Sequence, residues 1–193
     1  MASDIQIASN SLQLLGHSAI AAFDEGTAGA EIAAALYDIT YEAVLTEYRW
    51  RFATKKVQLA RLTGEPIDDY LFQYQLPADL LYLIRTTRAN LDYEIYEDKL
   101  HTNDTEVKID YIFKIPADRL PSYYVSAFQF LLASQFALPI TGSESKAQLY
   151  FGMYQTQLRK ARHTDATQRP NRTFDDNPYS DVRNGYDGFN NGL

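Results

Sequence analysis

Three histidines, His17, His101 and His163, are the side chains best suited to chemistry at neutral pH, as general bases or metal ligands. A metal site needs partners at fixed spacing, and none of the three has one; a His pair four residues apart on one helix face is absent. They fall on a loop, a hairpin tip and a helix end, where a solvated imidazole is expected. There is no Cys, which excludes thiolate metal sites, cysteine nucleophiles and disulfides. Carboxylates sit side by side at Asp68-Asp69 and Asp175-Asp176. A catalytic pair needs a fixed separation and a pocket that shifts one pKa. Neighbouring acids on a turn and near the chain end read as solvated charge. Gly185-Tyr186-Asp187-Gly188 follows no strand and opens no helix, so no phosphate cradle is expected, and Gly142-Ser143 is not part of a nucleophile elbow. The sequons at Asn103 and Asn171 read as chance. No catalytic residue, metal site or cofactor is expected, and the residues give little support to an enzyme.

Composition narrows the classes further. The chain has 193 residues, 18 Lys+Arg against 25 Asp+Glu, a net charge of −7 and 46% hydrophobic residues. That is enough apolar material for a sizeable core. An acidic chain without a dense basic stripe is poorly suited to gripping nucleic acid, because phosphate neutralisation dominates such affinity. Met1-Ala2-Ser3-Asp4 lacks the basic segment of a secretory signal. The longest apolar run, Val125 to Leu138, is interrupted by Ser126, Gln129, Ser134 and Gln135, and falls short of the about 20 residues of a bilayer span. A soluble protein with no membrane partner is expected. The informative excess is in aromatics: 15 tyrosines, a residue favoured where one end must be dry and the other wet.

The elements that must position these residues follow from periodicity. Ser3 with Gln6 forms a capping box for a helix to Leu15, and Gly16 suits the residue past its end. A second helix runs from Ala28 to Tyr48, capped by Thr27, with Ile32, Leu36, Ile39 and Ala43 as its buried stripe and Tyr37, Tyr41, Val44 and Tyr48 widening the arc. Strands are expected at 56–62, 70–75, 80–86, 91–98 and 106–114. The last two form a hairpin through a loop at 99–105, and Val107, Ile109, Tyr111 and Phe113 form one face of the last. Pro121 opens a third helix that Pro139 stops; Thr141 with Glu144 opens a fourth, to His163. From Thr164 the sequence turns to Asn, Asp, Gly and Pro, with Arg169, Arg172, Phe174, Tyr179, Arg183, Tyr186 and Phe189 spaced between them. Such a segment is expected to be mobile alone and to order on a partner, with aromatics as anchors and Arg as forked donors. The fold class expected is α+β. A four-helix bundle has a small antiparallel β-sheet inserted between helices 2 and 3, and an extended C-terminal arm follows. The parts are 1–52, 53–115, 116–163 and 164–193.

The order of signals resembles a family. Ser11-Leu12-Gln13-Leu14-Leu15-Gly16-His17 is similar to its early helix and glycine turn. Glu47-Tyr48-Arg49-Trp50-Arg51-Phe52-Ala53 is similar to its Trp-X-Phe-Ala exit from the long helix. Tyr74-Gln75-Leu76-Pro77-Ala78-Asp79-Leu80 is similar to its Tyr-X-Leu-Pro-X-Asp element. The chain thus resembles the head-to-tail adaptor proteins of short-tailed phages, the group of tail tubular protein A, also called gatekeepers. The resemblance covers residues 1–163. It implies a virion ring, dodecameric in most of the family, that docks on the portal protein through its helices and C-terminal arm. The opposite rim would receive the tail tube or nozzle, with tail fibres as further neighbours, and genomic DNA would pass through the lumen without tight binding. Gly16, Trp50, Phe52, Pro77 and Asp79 would be structural residues. The implied location is the head–tail junction, after assembly in the host cytoplasm. Three rivals remain open at this point: a head-completion or stopper protein of a long-tailed phage, a tail-associated hydrolase, and a cellular binding module unrelated to phage.

Overall fold

The computed structural model describes residues 2–168 apart from positions 65, 67, 68, 87 and 89. Over these residues the chain is mixed α+β, with four helices and two small antiparallel sheets. Helix α1 (Asp4–Leu14) starts where the Ser3 side chain accepts the Gln6 N–H at 3.2 Å. Helix α2 (Ala28–Glu47) starts where Thr27 accepts the Ala30 N–H at 3.3 Å. Six strands follow before the next helix: β1 (Thr54–Gln58), β2 (Phe72–Gln75), β3 (Leu80–Thr86), β4 (Tyr93–Tyr96), β5 (Lys99–Thr102) and β6 (Lys108–Phe113). A short 3₁₀ turn leads to α3 (Ser122–Thr141) and α4 (Glu144–Thr167).

Helix α3 packs against α1, α2 and α4. By length and composition it could also cross a membrane, and burial of Tyr124, Phe128, Leu132 and Phe136 among its neighbours accounts for that apolar character. Pro139 does not stop α3. The helix continues to Thr141, and Gly142 ends it in the left-handed region at φ 63°, donating its N–H to the Leu138 carbonyl. A proline in the last turn removes only one helical N–H donor. The cap of α4 is Ser143, whose side chain accepts the Lys146 N–H, and not Thr141. Antiparallel α4 then runs past His163 to Thr167, so positions 164–167 belong to the helix and not to an arm.

The buried side of α2 also differs from its expected stripe. Ala33, Tyr37, Thr40, Tyr41, Val44 and Leu45 face the core, whereas Ile39 is 71% exposed and Ala43 is exposed. The tyrosines take the inner face because each buries a ring against Phe128 and places its hydroxyl on a fixed acceptor. Tyr37 donates to Asp4 at 3.0 Å and Tyr41 to the Ile115 carbonyl.

The strands form two three-stranded sheets, β1-β6-β3 and β2-β5-β4, in place of the single sheet expected. The expected pairing of 91–98 with 106–114 does not occur. Strand β4 pairs with β5 across Glu97-Asp98, with Glu97 at φ 55°, and the intended loop is itself the middle strand of the second sheet. Leu100, His101 and Thr102 are buried there, so His101 is not solvated. Strand β6 is central in the first sheet and buried on both faces. Ile112 joins the helical core; Ile109 and Tyr111 join a second core with Leu59, Tyr74, Leu76, Leu100 and Val107.

Candidate interaction surfaces

The link between helices and sheets is built at the end of α2. The backbone turns extended at Tyr48, and the Trp50 N–H donates to the Tyr48 carbonyl at 2.8 Å. Trp50 is fully buried, donates Nε1–H to the Val44 carbonyl at 3.1 Å, and meets Tyr48 and Tyr124 edge-on at 4.9 and 5.2 Å. Half-buried Phe52 packs on Tyr123 and Tyr124. The Arg51 N–H donates to both oxygens of Asp165, at 3.3 and 3.1 Å, and the Tyr123 hydroxyl donates to the same carboxylate at 3.0 Å. Burial, then the Asp165 charge, pushes the Tyr123 hydroxyl up to about 12. Asp165 lies in the last turn of α4, where the helix dipole disfavours an acid. The donors from Arg51 and Tyr123 offset that cost, and the result is a clasp from the α4 end to the α2 exit. Nothing in the local sequence marks Asp165; only the tertiary pairing does.

Pro77 and Asp79 form a second joint. The Leu80 N–H donates to the Pro77 carbonyl at 3.1 Å, making a turn that aims Asp79 at Lys55 on β1 and at the Tyr111 hydroxyl on β6, 2.9 Å away. The Lys55 hydrogen bond holds the Asp79 carboxyl below its ordinary value, with the Tyr111 bond adding to it; burial and Asp79 push Tyr111 up to about 12. Gly16 closes the turn after α1 at φ 83°, a conformation that favours glycine. Gly16, Trp50, Phe52, Pro77 and Asp79 therefore sit at chain turns and joints.

Among the described residues, no group of three or more His, Asp and Glu is placed to hold a metal. His17 lies beside Gly29, His101 in β5 and His163 on the exposed side of α4. Asp69 is exposed; Asp68 lies outside the described residues, as do Asp175 and Asp176. The seven arm residues, Arg169, Arg172, Phe174, Tyr179, Arg183, Tyr186 and Phe189, also lie outside them.

What the molecule does present is apolar surface on helices. Along α2, Ile32, Ala35, Leu36, Ile39 and Ala43 share one face, with Ile32 and Leu36 half-buried and the other three exposed. The periodicity of this stripe was visible in the sequence; Ile32 and Leu36 do pack against the helical core, while Ile39 and Ala43 face outward. On the far side of α3, an open groove between α3 and α4 is lined by Phe130, Leu149, Gly152, Met153 and Thr156. Leu149 is 55% and Met153 42% exposed. Isolated exposed apolar residues are ordinary, whereas rows of them along a helix mark contact surfaces. No family model matches the chain, and no curated protein matches it either.

Proposed function

We propose that this chain is a structural virion protein, a head-to-tail adaptor that forms a ring below the portal, joins it to the tail tube or nozzle, and leaves a channel for the genome. In this reading the four helices act as a bundle with the strands inserted between α2 and α3. The ordered motifs at 11–17, 47–53 and 74–80 carry the proposal. The observation that supports it best is the Asp165 clasp: α4 is tied to the Trp50 exit three residues before position 168, so the end of α4 is held at a fixed point on the body. In this reading Arg169, Phe174 and Tyr179 belong to a docking arm, and every copy would present it from the same place. Net negative charge suits a conduit, since repeated acidic subunits repel phosphate.

The test is mass measurement of the chain with and without the portal protein of a short-tailed phage, using full-length protein and a truncation after Gln168. Full-length protein should assemble a ring on the portal, and the truncated body should stay folded and fail to attach. A truncated body that docks as well as the full chain rejects the arm's role, and a full chain that never associates with a portal rejects the adaptor reading. Cutting at 164 instead would remove Asp165 and unpin the body, so it is the wrong boundary for this test.

A further inference from the structure

Two apolar helical surfaces on one chain raise the question of what covers each. The α2 surface consists of exposed Ala35, Ile39 and Ala43, bordered by Ile32 and Leu36 that are half-buried against the core, and its flank is acidic. Helix α2 contains Glu31, Asp38, Glu42 and Glu47 and no Lys or Arg. Lys114 is shared between Asp38 at 3.1 Å and Glu42 at 2.9 Å, and Glu31 has no cation among the described residues. The α3/α4 groove has the opposite character. Its floor continues along α4 from Leu149, Gly152, Met153 and Thr156 to Arg159 and Lys160, both exposed and without an acidic partner among the described residues. Gly152 is the opening of this groove. It lies inside a 24-residue helix, and a Cβ at that position would touch nothing within 4 Å. Glycine in a helix interior costs about 1 kcal/mol relative to alanine, and no contact within the chain requires it. Its absent side chain leaves a gap between Leu149 and Met153 that a ridge from another helix can enter.

We propose that these surfaces cover each other between copies of this chain: the Ile39 ridge of α2 from one copy seats in the Gly152 groove of the next, with Glu31, Asp38 and Glu42 facing Arg159 and Lys160. Because the two surfaces are different, the contact is head-to-tail and propagates into a ring or a filament, whereas a two-fold dimer would pair a surface with itself. Charge complementarity sets the register and disfavours α2 on α2, where acids would oppose acids. The proposal rests on the ring reading above and names the contact within it.

The chain has no Cys, so introduced thiols report cleanly. Full-length Ile39→Cys and Met153→Cys are oxidised separately and mixed, and products are weighed under non-reducing conditions. Ala60→Cys mixed with Met153→Cys measures random collision. A mixed Ile39–Met153 disulfide well above that control, little cross-linking of either variant alone, and its loss when Arg159→Glu and Lys160→Glu are added are the expected results. Cross-linking of Ile39→Cys with itself, or a mixed yield equal to the control, overturns the pairing. The adaptor reading is scored independently, by wild-type protein on a portal. Rings there without the mixed disulfide keep the adaptor and discard this contact; the disulfide without portal association does the reverse.

Discussion

The helices and the strands of this protein are held by different forces. The helical core is wide and aromatic, and its tyrosines act as cross-braces. Tyr37 reaches Asp4, Tyr41 the Ile115 carbonyl, Tyr150 the Leu14 carbonyl, Tyr154 Glu47, and Tyr123 Asp165. The strand core is a handful of side chains, and its margin is aligned by ions: Lys55 with Asp79, Arg85 and Lys56 with Asp110, Arg88 with Asp104. Exposed ion pairs contribute only about 0–1 kcal/mol each and are screened by salt. Burial therefore decides whether the helices hold, while charge decides how the strands line up. The strands should open first in hydrogen exchange, and added salt should widen that gap.

Mutations at the two regions sharpen the contrast. Trp50→Ala empties the largest buried volume at the joint and should cost about 3–5 kcal/mol by denaturant unfolding. If the two cores were independent, exchange protection in β5 would survive it; shared strand β6 predicts that both decline. Asp165→Ala leaves the Arg51 N–H and Tyr123 O–H without their acceptor and should cost about 1–3 kcal/mol, with Asp165→Asn recovering part of it. Tyr124 works in the other direction. Its hydroxyl is buried without a hydrogen-bond partner among the described residues, so Tyr124→Phe should leave thermal stability unchanged or raise it by about 1 kcal/mol. The smallest effect is at Asp79. Its folded pKa lies below the ordinary 3.8, so its contribution is present above that value and is lost as pH falls through the lowered one. Thermal midpoints of wild type and Asp79→Asn should converge as pH falls below the ordinary carboxylate value of 3.8; a constant difference would mean that the Lys55 latch contributes nothing.

Much of the helical framework was legible because capping is local. Ser3 and Thr27 were readable from side chains that bond within three residues, and Gly16 from the turn it must make. What failed was everything set by distant partners. Periodicity located both faces of α2 but could not say that tyrosines with waiting acceptors would displace Ile39 from the core. Strand β5 was missed because Lys99-Leu100-His101-Thr102 is short and half polar, and Glu97-Asp98 is not a typical hairpin turn pair. Alternation at β6 misled for a related reason: a strand between two cores has no solvent face. Asp165 was hidden because it opposes the helix dipole and is stabilised only by groups far away in sequence. The candidate surfaces were not legible, because they depend on which helix faces distant neighbours leave uncovered.

Strand β6 also governs how load travels. With Ile112 seated among the helices and Ile109 and Tyr111 seated among the strands, six residues form the beam through which a push on either side is felt by the other. A shift of β1 or β3, both paired to that beam, therefore reaches Ile115 and the Tyr41 brace just beyond its end, so neither core can rearrange without the other registering the strain.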